Sequence, residues 1–215
     1  MTKTRKVISR LLQQYTYESR LGTGDPFKTL IGTILSQNTN SKNRKTAYDR
    51  LESLVGVTPK KLASADVATI RDAIRPAGMY NQRSIRIMEA SNHVLKEYNG
   101  DLKAVVELQY LDAREKLMSI PGVGWKTADV VLLFEAGKKV VPVDTHIFRI
   151  SKRLELVPSN APYETVRKTL EADTPEGMHE NVHVLLIRFG REICKAQRPR
   201  CSICFLNDLC TYPSM

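Results

Sequence analysis

Apolar residues recur at helical spacing along almost the whole chain. Val7, Leu11, Leu12 and Tyr15 form one stripe, and Phe27, Leu30, Ile31, Ile34 and Leu35 form a second at i, i+3, i+4, i+7 and i+8. Such a pattern marks one buried helix face. Asp25-Pro26 and Thr58-Pro59 stand where helices begin: the side-chain oxygen accepts an early N–H, and a first-turn proline gives up no hydrogen bond. Further stripes run through Val67, Ile70 and Ile74, through Ile85, Met88 and Leu95, and through Val182, Leu185, Leu186 and Phe189. The only β-like run is Lys139-Val140-Val141-Pro142-Val143, and its proline argues against a central strand. No repeat of fixed period stands out, which argues against a solenoid. The pattern predicts an all-α protein.

At 215 residues, 42% hydrophobic and 26% charged, the chain is long enough to bury a core without disulfide staples. It has no apolar segment approaching the roughly 20 residues of a membrane span. The basic start Met1-Thr2-Lys3-Thr4-Arg5-Lys6 leads into an amphipathic pattern rather than an apolar signal region, so no membrane association and no secretion signal are expected. Thirty-three Lys and Arg against 23 Asp and Glu give a net charge of +10. That excess favours a polyanionic partner, because each phosphate neutralised releases counterions. All four cysteines, Cys194, Cys201, Cys204 and Cys210, fall in one C-terminal stretch, leaving none to bridge to the body. Four thiols so close together suit either zinc or an iron–sulfur cluster.

The chemistry concentrates between Leu117 and Arg149. Two helical patterns, Asp112 to Ser119 and Gly124 to Glu135, are separated by Pro121-Gly122-Val123-Gly124. Gly122 and Gly124 allow positive φ and close backbone approach, so the hairpin N–H groups, including that of Val123, can converge on an anion. A plain helix–helix connector uses the same residues. Lys126 follows in the first turn of the second helix, where the helix dipole disfavours an ammonium ion and a neutral amine can serve as a nucleophile. Asp144 stands eighteen residues later, at a helix entry it can cap.

Ile120-Pro121-Gly122-Val123-Gly124-Trp125-Lys126-Thr127-Ala128-Asp129-Val130-Val131, followed by Val143-Asp144-Thr145-His146-Ile147-Phe148-Arg149, resembles the helix–hairpin–helix DNA glycosylases, within them the endonuclease III branch. The resemblance spans nearly the whole chain. It implies that Lys126 attacks the sugar C1′ and that Asp144 is the catalytic carboxylate. Leu35-Ser36-Gln37-Asn38-Thr39 resembles the loop whose glutamine, here Gln37, fills the gap left by an extruded nucleotide. Gly78-Met79-Tyr80-Asn81 resembles the loop whose apolar residue, here Met79, wedges into the opposite strand, with Asn81 also at the DNA. The spacing Cys194-x6-Cys201-x2-Cys204-x5-Cys210 is similar to the one with which this family holds a [4Fe–4S] cluster, and Lys195, Arg198 and Arg200 would face phosphate from its loop.

The resemblance also implies two helical lobes with a groove for double-stranded DNA between them. Residues 20-136 would form a helical barrel ending in the hairpin; residues 1-19 and 137-215 would form the second lobe with the cluster. The expected protein is a monomer that excises damaged, oxidised pyrimidines and then nicks the strand, working, if its source is prokaryotic, in the cytoplasm or at the nucleoid. Trp125, Asp129 and Asn40 depart from the residues usual in bacterial members, Arg, Asn and Asp respectively, near the DNA or the base pocket. His179-Glu180-Asn181-Val182-His183 matches the zinc-protease pattern H-E-x-x-H, but no histidine follows His183 to supply a third ligand. Two alternatives are a monofunctional mismatch glycosylase, against which Lys126 counts, and a non-catalytic DNA-binding module, which would need neither Lys126 nor Asp144.

Overall fold

The computed structural model describes residues 1–17 and 22–212. Among these residues twelve α-helices follow in chain order: α1 Lys3–Gln14, α2 Pro26–Ser36, α3 Ser41–Leu54, α4 Pro59–Ser64, α5 Val67–Ile74 and α6 Tyr80–Tyr98, then α7 Lys103–Glu107, α8 Tyr110–Met118, α9 Trp125–Ala136, α10 Thr145–Arg153, α11 Tyr163–Asp173 and α12 His179–Glu192. Among the described residues there is no strand, so the all-α expectation holds. The chain divides into two compact units, Leu21–Lys138 and Met1–Arg20 with Lys139–Met215. The boundary expected between residues 19 and 20 lies outside the described residues.

Each unit has its own core. In the first, Leu30, Ile31, Ile34 and Leu35 of α2 pack with Leu51, Ile70, Ile74, Ile87 and Val131. In the second, Val7, Ile8 and Leu11 of α1 pack with Ile147, Ile150, Val166, Leu186 and Phe189. The caps are where the sequence puts them: Asp25 accepts from the N–H groups of Phe27 and Lys28, and Thr58 accepts from that of Lys61.

One stripe is borne out only in part: Met88 packs against the core, but Ile85 does not. Ile85 is 46% exposed, and α6 instead buries Arg83, Ser84, Ile87, Ala90, Ser91 and Val94. Small residues let neighbouring helices approach closely, and Arg83 is buried against backbone carbonyls, so the largest apolar side chains do not mark this face.

The run predicted to be β-like is a buried extended strap held by side chains. The Val141 N–H donates to Glu171 Oε1 at 3.0 Å, the Val143 N–H donates to the Tyr163 hydroxyl at 3.2 Å, and the Pro142 carbonyl lies 2.9 Å from His183 Nδ1. Buried backbone groups must be paired, and here α11 and α12 replace a sheet neighbour. The strap ends at Asp144, the N-cap of α10.

Candidate DNA-repair site

In the Leu21–Lys138 unit, α8 and α9 are joined by the expected hairpin. Gly122 has φ 81°, which favours glycine, and a Cβ there would meet the Arg86 side chain at 3.5 Å. Gly124 differs from expectation: its φ is −103° and it is the N-cap of α9. Among the described residues, no atom beyond its chain neighbours and its own helix lies within 4 Å of the point a Cβ would occupy there, so what this glycine offers is open space beside the backbone rather than a left-handed turn. Val123 is buried under the hairpin, and its N–H donates to the Ile120 carbonyl at 3.0 Å; that closes the turn and leaves the N–H groups of α9's first turn at the open end. Lys126, half-buried, is the second residue of α9. Trp125 beside it is 46% exposed.

Two further loops of this unit carry sequence-predicted residues, and the structure brings them together. Gln37 ends α2, and Asn38 and Met79 both adopt the left-handed conformation, each at φ 51°. The Asn38 Nδ2 lies 3.8 Å from the Met79 Sδ, and Met79 is 49% exposed. Asn81 is exposed in the first turn of α6.

Two of the three departures have local explanations, and nothing in the structure explains Trp125. Asn40 accepts from the Asn43 N–H at 2.8 Å and caps α3, a task asparagine performs as well as aspartate. Asp129 is fully buried, and its carboxylate lies 2.8 Å from Arg114 Nε and accepts from the Tyr110 hydroxyl at 2.8 Å. α9 turns it into the interior, three residues on from Lys126, so it presents no surface for direct contact with DNA.

In the other unit, Asp144 is half-buried and accepts the Ile147 N–H at 2.9 Å. Burial pushes the neighbouring His146 below the usual histidine range, and Arg149 and Arg191 push the same way against the pull of Asp144. Cys194, Cys201, Cys204 and Cys210 line one cavity with Leu154, Phe189 and Ile193. Burial pushes the Cys204 thiol up, so a thiolate there needs a bound cation's charge. Four soft donors around a largely apolar cavity fit an iron–sulfur cluster. Two arginines of α10 that spacing alone did not single out hold this loop. Arg149 donates to the Cys194 carbonyl from Nε at 3.1 Å and to that of Gly190 at 2.9 Å; Arg153 donates to the Lys195 carbonyl at 2.6 Å. Arg198 and Arg200 are exposed, and Lys195 is half-buried. His179 and His183 form no protease site, since His183 is buried against the strap.

A glycine-held hairpin, an all-helical frame and a four-thiol loop define a class of DNA-repair protein, and comparison with known proteins agrees. Residues 31–176 match the family described as HhH-GPD superfamily base excision DNA repair protein, and residues 194–210 match the iron–sulfur binding domain of endonuclease III. The chain belongs to the HhH-GPD superfamily of base excision DNA repair proteins. It is 38% identical to Endonuclease III of Thermotoga maritima over 87% of this chain and 84% of that one, and 30% identical to the Escherichia coli K12 enzyme over 98% and 95%. A trapped endonuclease III–DNA covalent intermediate superposes with a TM-score of 0.86 at 30% identity, covering 99% of this chain and 97% of that chain. A thermostable thymine-DNA glycosylase does so at 0.80 and 26%, covering 98% and 96%. Within its family the protein is a DNA N-glycosylase and AP lyase of the endonuclease III branch, and it carries a [4Fe–4S] cluster.

Proposed function

We propose that this glycosylase excises oxidised pyrimidines from double-stranded DNA and cuts the strand through a Schiff base on Lys126. The observation that carries the reading is the placement of Lys126 in the first turn of the hairpin's second helix, where backbone N–H groups and the helix dipole suit a phosphate and disfavour an ammonium ion. Phosphate binding alone needs no amine there.

A base inside a duplex is out of reach, so the nucleotide is first extruded. Gln37 and Met79 fill the space it leaves, and Asn81, the backbone of Gly122 and Gly124 and the N–H groups of α9's first turn hold the strands; the Val123 N–H, expected to join them, is spent on the Ile120 carbonyl. The neutral Lys126 amine then attacks C1′; the bond from C1′ to the base breaks, and the departing base takes a proton from water. Asp144 accepts the proton released by the amine and stabilises positive charge at C1′. The Lys126 nitrogen then expels O4′, which takes the proton held by Asp144, so the C1′–O4′ bond breaks as the imine forms. Loss of a 2′ proton breaks the bond from C3′ to its phosphate oxygen, which nicks the strand.

Cys194, Cys201, Cys204 and Cys210 would hold the cluster, whose contribution is to fix the loop. Lys195, Arg198 and Arg200 on that loop neutralise phosphates. The protein acts as a monomer, and in a prokaryotic cell it works on DNA in the cytoplasm or nucleoid.

The similarity to a thymine-DNA glycosylase favours a second reading of the substrate, thymine in a mismatch. Borohydride trapping separates the two. On a panel of duplexes carrying oxidised pyrimidines, G·T mismatches and preformed abasic sites, a covalent adduct is expected with the oxidised bases and the abasic site, and it should vanish in K126Q. Release of thymine from G·T duplexes with no adduct on any member of the panel would overturn the lysine mechanism.

A further inference from the structure

Three arginines are nearly fully buried among the described residues: Arg83, Arg114 and Arg167. Arg114 faces Asp129, and Arg167 faces Glu164 and Glu171. Arg83 is different. Its guanidinium donates to three backbone carbonyls, those of Ala77 at 2.8 Å, Gly78 at 2.6 Å and Gln37 at 2.5 Å. Burial disfavours its charge, and Arg86 adds repulsion. Taking a cation out of water without an anionic partner is costly, and a helix face that merely needed filling would do better with an apolar residue.

What this guanidinium joins is specific. The Gln37 carbonyl belongs to the loop after α2, and those of Ala77 and Gly78 belong to the turn before α6. Each loop holds a non-glycine residue in the left-handed region, Asn38 on one side and Met79 on the other. Such conformations persist only where the surroundings over-determine them. The fork of Arg83 supplies that constraint, because its two terminal nitrogens are held in one plane and fix the carbonyls they bind relative to each other.

We propose that Arg83 is a positioning residue that sets the spacing of the Gln37 and Met79 loops, so that both side chains enter the duplex together when a nucleotide is extruded. The proposal rests on the reading of Gln37 and Met79 as gap fillers. It assigns Arg83 no contact with the reacting sugar.

The test uses the cluster-loaded protein and duplexes with 2-aminopurine beside the lesion, whose fluorescence reports unstacking. Arg83→Met removes three charge-assisted hydrogen bonds. Single-turnover excision of a damaged base is expected to fall about ten- to hundredfold, with a smaller fall in strand cleavage at a preformed abasic site, which costs less to unstack. The 2-aminopurine signal should shrink in parallel, and Arg83→Lys, which keeps the cation and loses the fork, should recover part of both. Should Arg83→Met fail to fold, Arg83→Lys carries the comparison alone, with the same unequal loss on the two substrates expected. Equal slowing on both substrates, or wild-type extrusion by a folded Arg83 variant while Gln37→Ala and Met79→Ala are impaired, overturns the proposal. Wild-type extrusion by Gln37→Ala and Met79→Ala overturns the gap-filling reading itself.

Discussion

The Asp144 carboxylate accepts the backbone N–H of Ile147 at 2.9 Å, so the proposed catalytic carboxylate is also the N-cap of α10. One oxygen is thereby held by the helix, which restricts the orientation of the other. The two roles separate by substitution. Asp144→Asn keeps a capping oxygen and removes the charge, whereas Asp144→Ala removes both. Urea melts should show Asp144→Asn within a few tenths of a kcal/mol of wild type and Asp144→Ala about 1 kcal/mol less stable. Base excision should fall by about 100-fold or more in both. If the asparagine variant excises normally, Asp144 is a cap and nothing else.

Asp129 and Arg114 form a buried pair in the unit that carries Lys126. Breaking one side leaves an uncompensated charge, so Asp129→Ala should cost about 3–5 kcal/mol. Replacing both, as Arg114→Met with Asp129→Leu, should cost much less than the sum of the single changes. Thermal unfolding of the singles and the double measures the coupling; additive losses would mean the pair is not mutually compensating.

Burial pushes His146 and His179 below the ordinary histidine value of 6.5. Arg149 and Arg191 press on the first and Lys139 on the second, against partial compensation from Asp144 and Glu176. The unfolded chain therefore takes up protons near pH 6.5 that the native state resists. Stability from these groups is complete above that pH and is lost as acid carries the protein down through the depressed native values. Urea midpoints measured from about pH 8 to about pH 5 should fall on the acid side, and His146→Gln with His179→Gln should flatten the fall. An unchanged slope in the double variant would mean that neither histidine sets the acid sensitivity.

Arg198 and Arg200 are exposed on the four-cysteine loop, which Arg149 and Arg153 tie to α10. If both reach phosphate, replacing them with alanine should lower the magnitude of the salt slope of duplex affinity by about 0.9 for each phosphate no longer neutralised. Removing the iron should loosen the loop and give a similar loss with both arginines still present. Anisotropy titrations across a salt series measure these slopes, and equal slopes for all three proteins would take the loop away from the DNA.

Much of the frame was legible because it is written in local periodicity. The α1, α2 and α12 stripes, the Asp25 and Thr58 caps and the Gly122 turn depend on residues within one or two helical turns of each other. The hairpin string and the cysteine spacing are likewise contiguous, which is why they pointed to the family before any fold was known. The phase of α6 was legible only in part. Its buried face is built from Arg83, serines and alanine as well as Ile87 and Val94, and an arginine is counted as solvent-facing by any rule that sees only its own neighbours.

The amino-acid order alone therefore determined the helical class, the hairpin, the four-thiol loop and the candidate lysine and aspartate. Only the tertiary structure decided that Asp129 faces inward to Arg114, that Glu171, Tyr163 and His183 hold the strap leading to Asp144, and that Arg83 spans two loops 41 residues apart. The physical reason is common to all three. Each is a buried polar group whose cost is offset by a partner far away in sequence, and such a partner can be found only once the chain has folded back on itself.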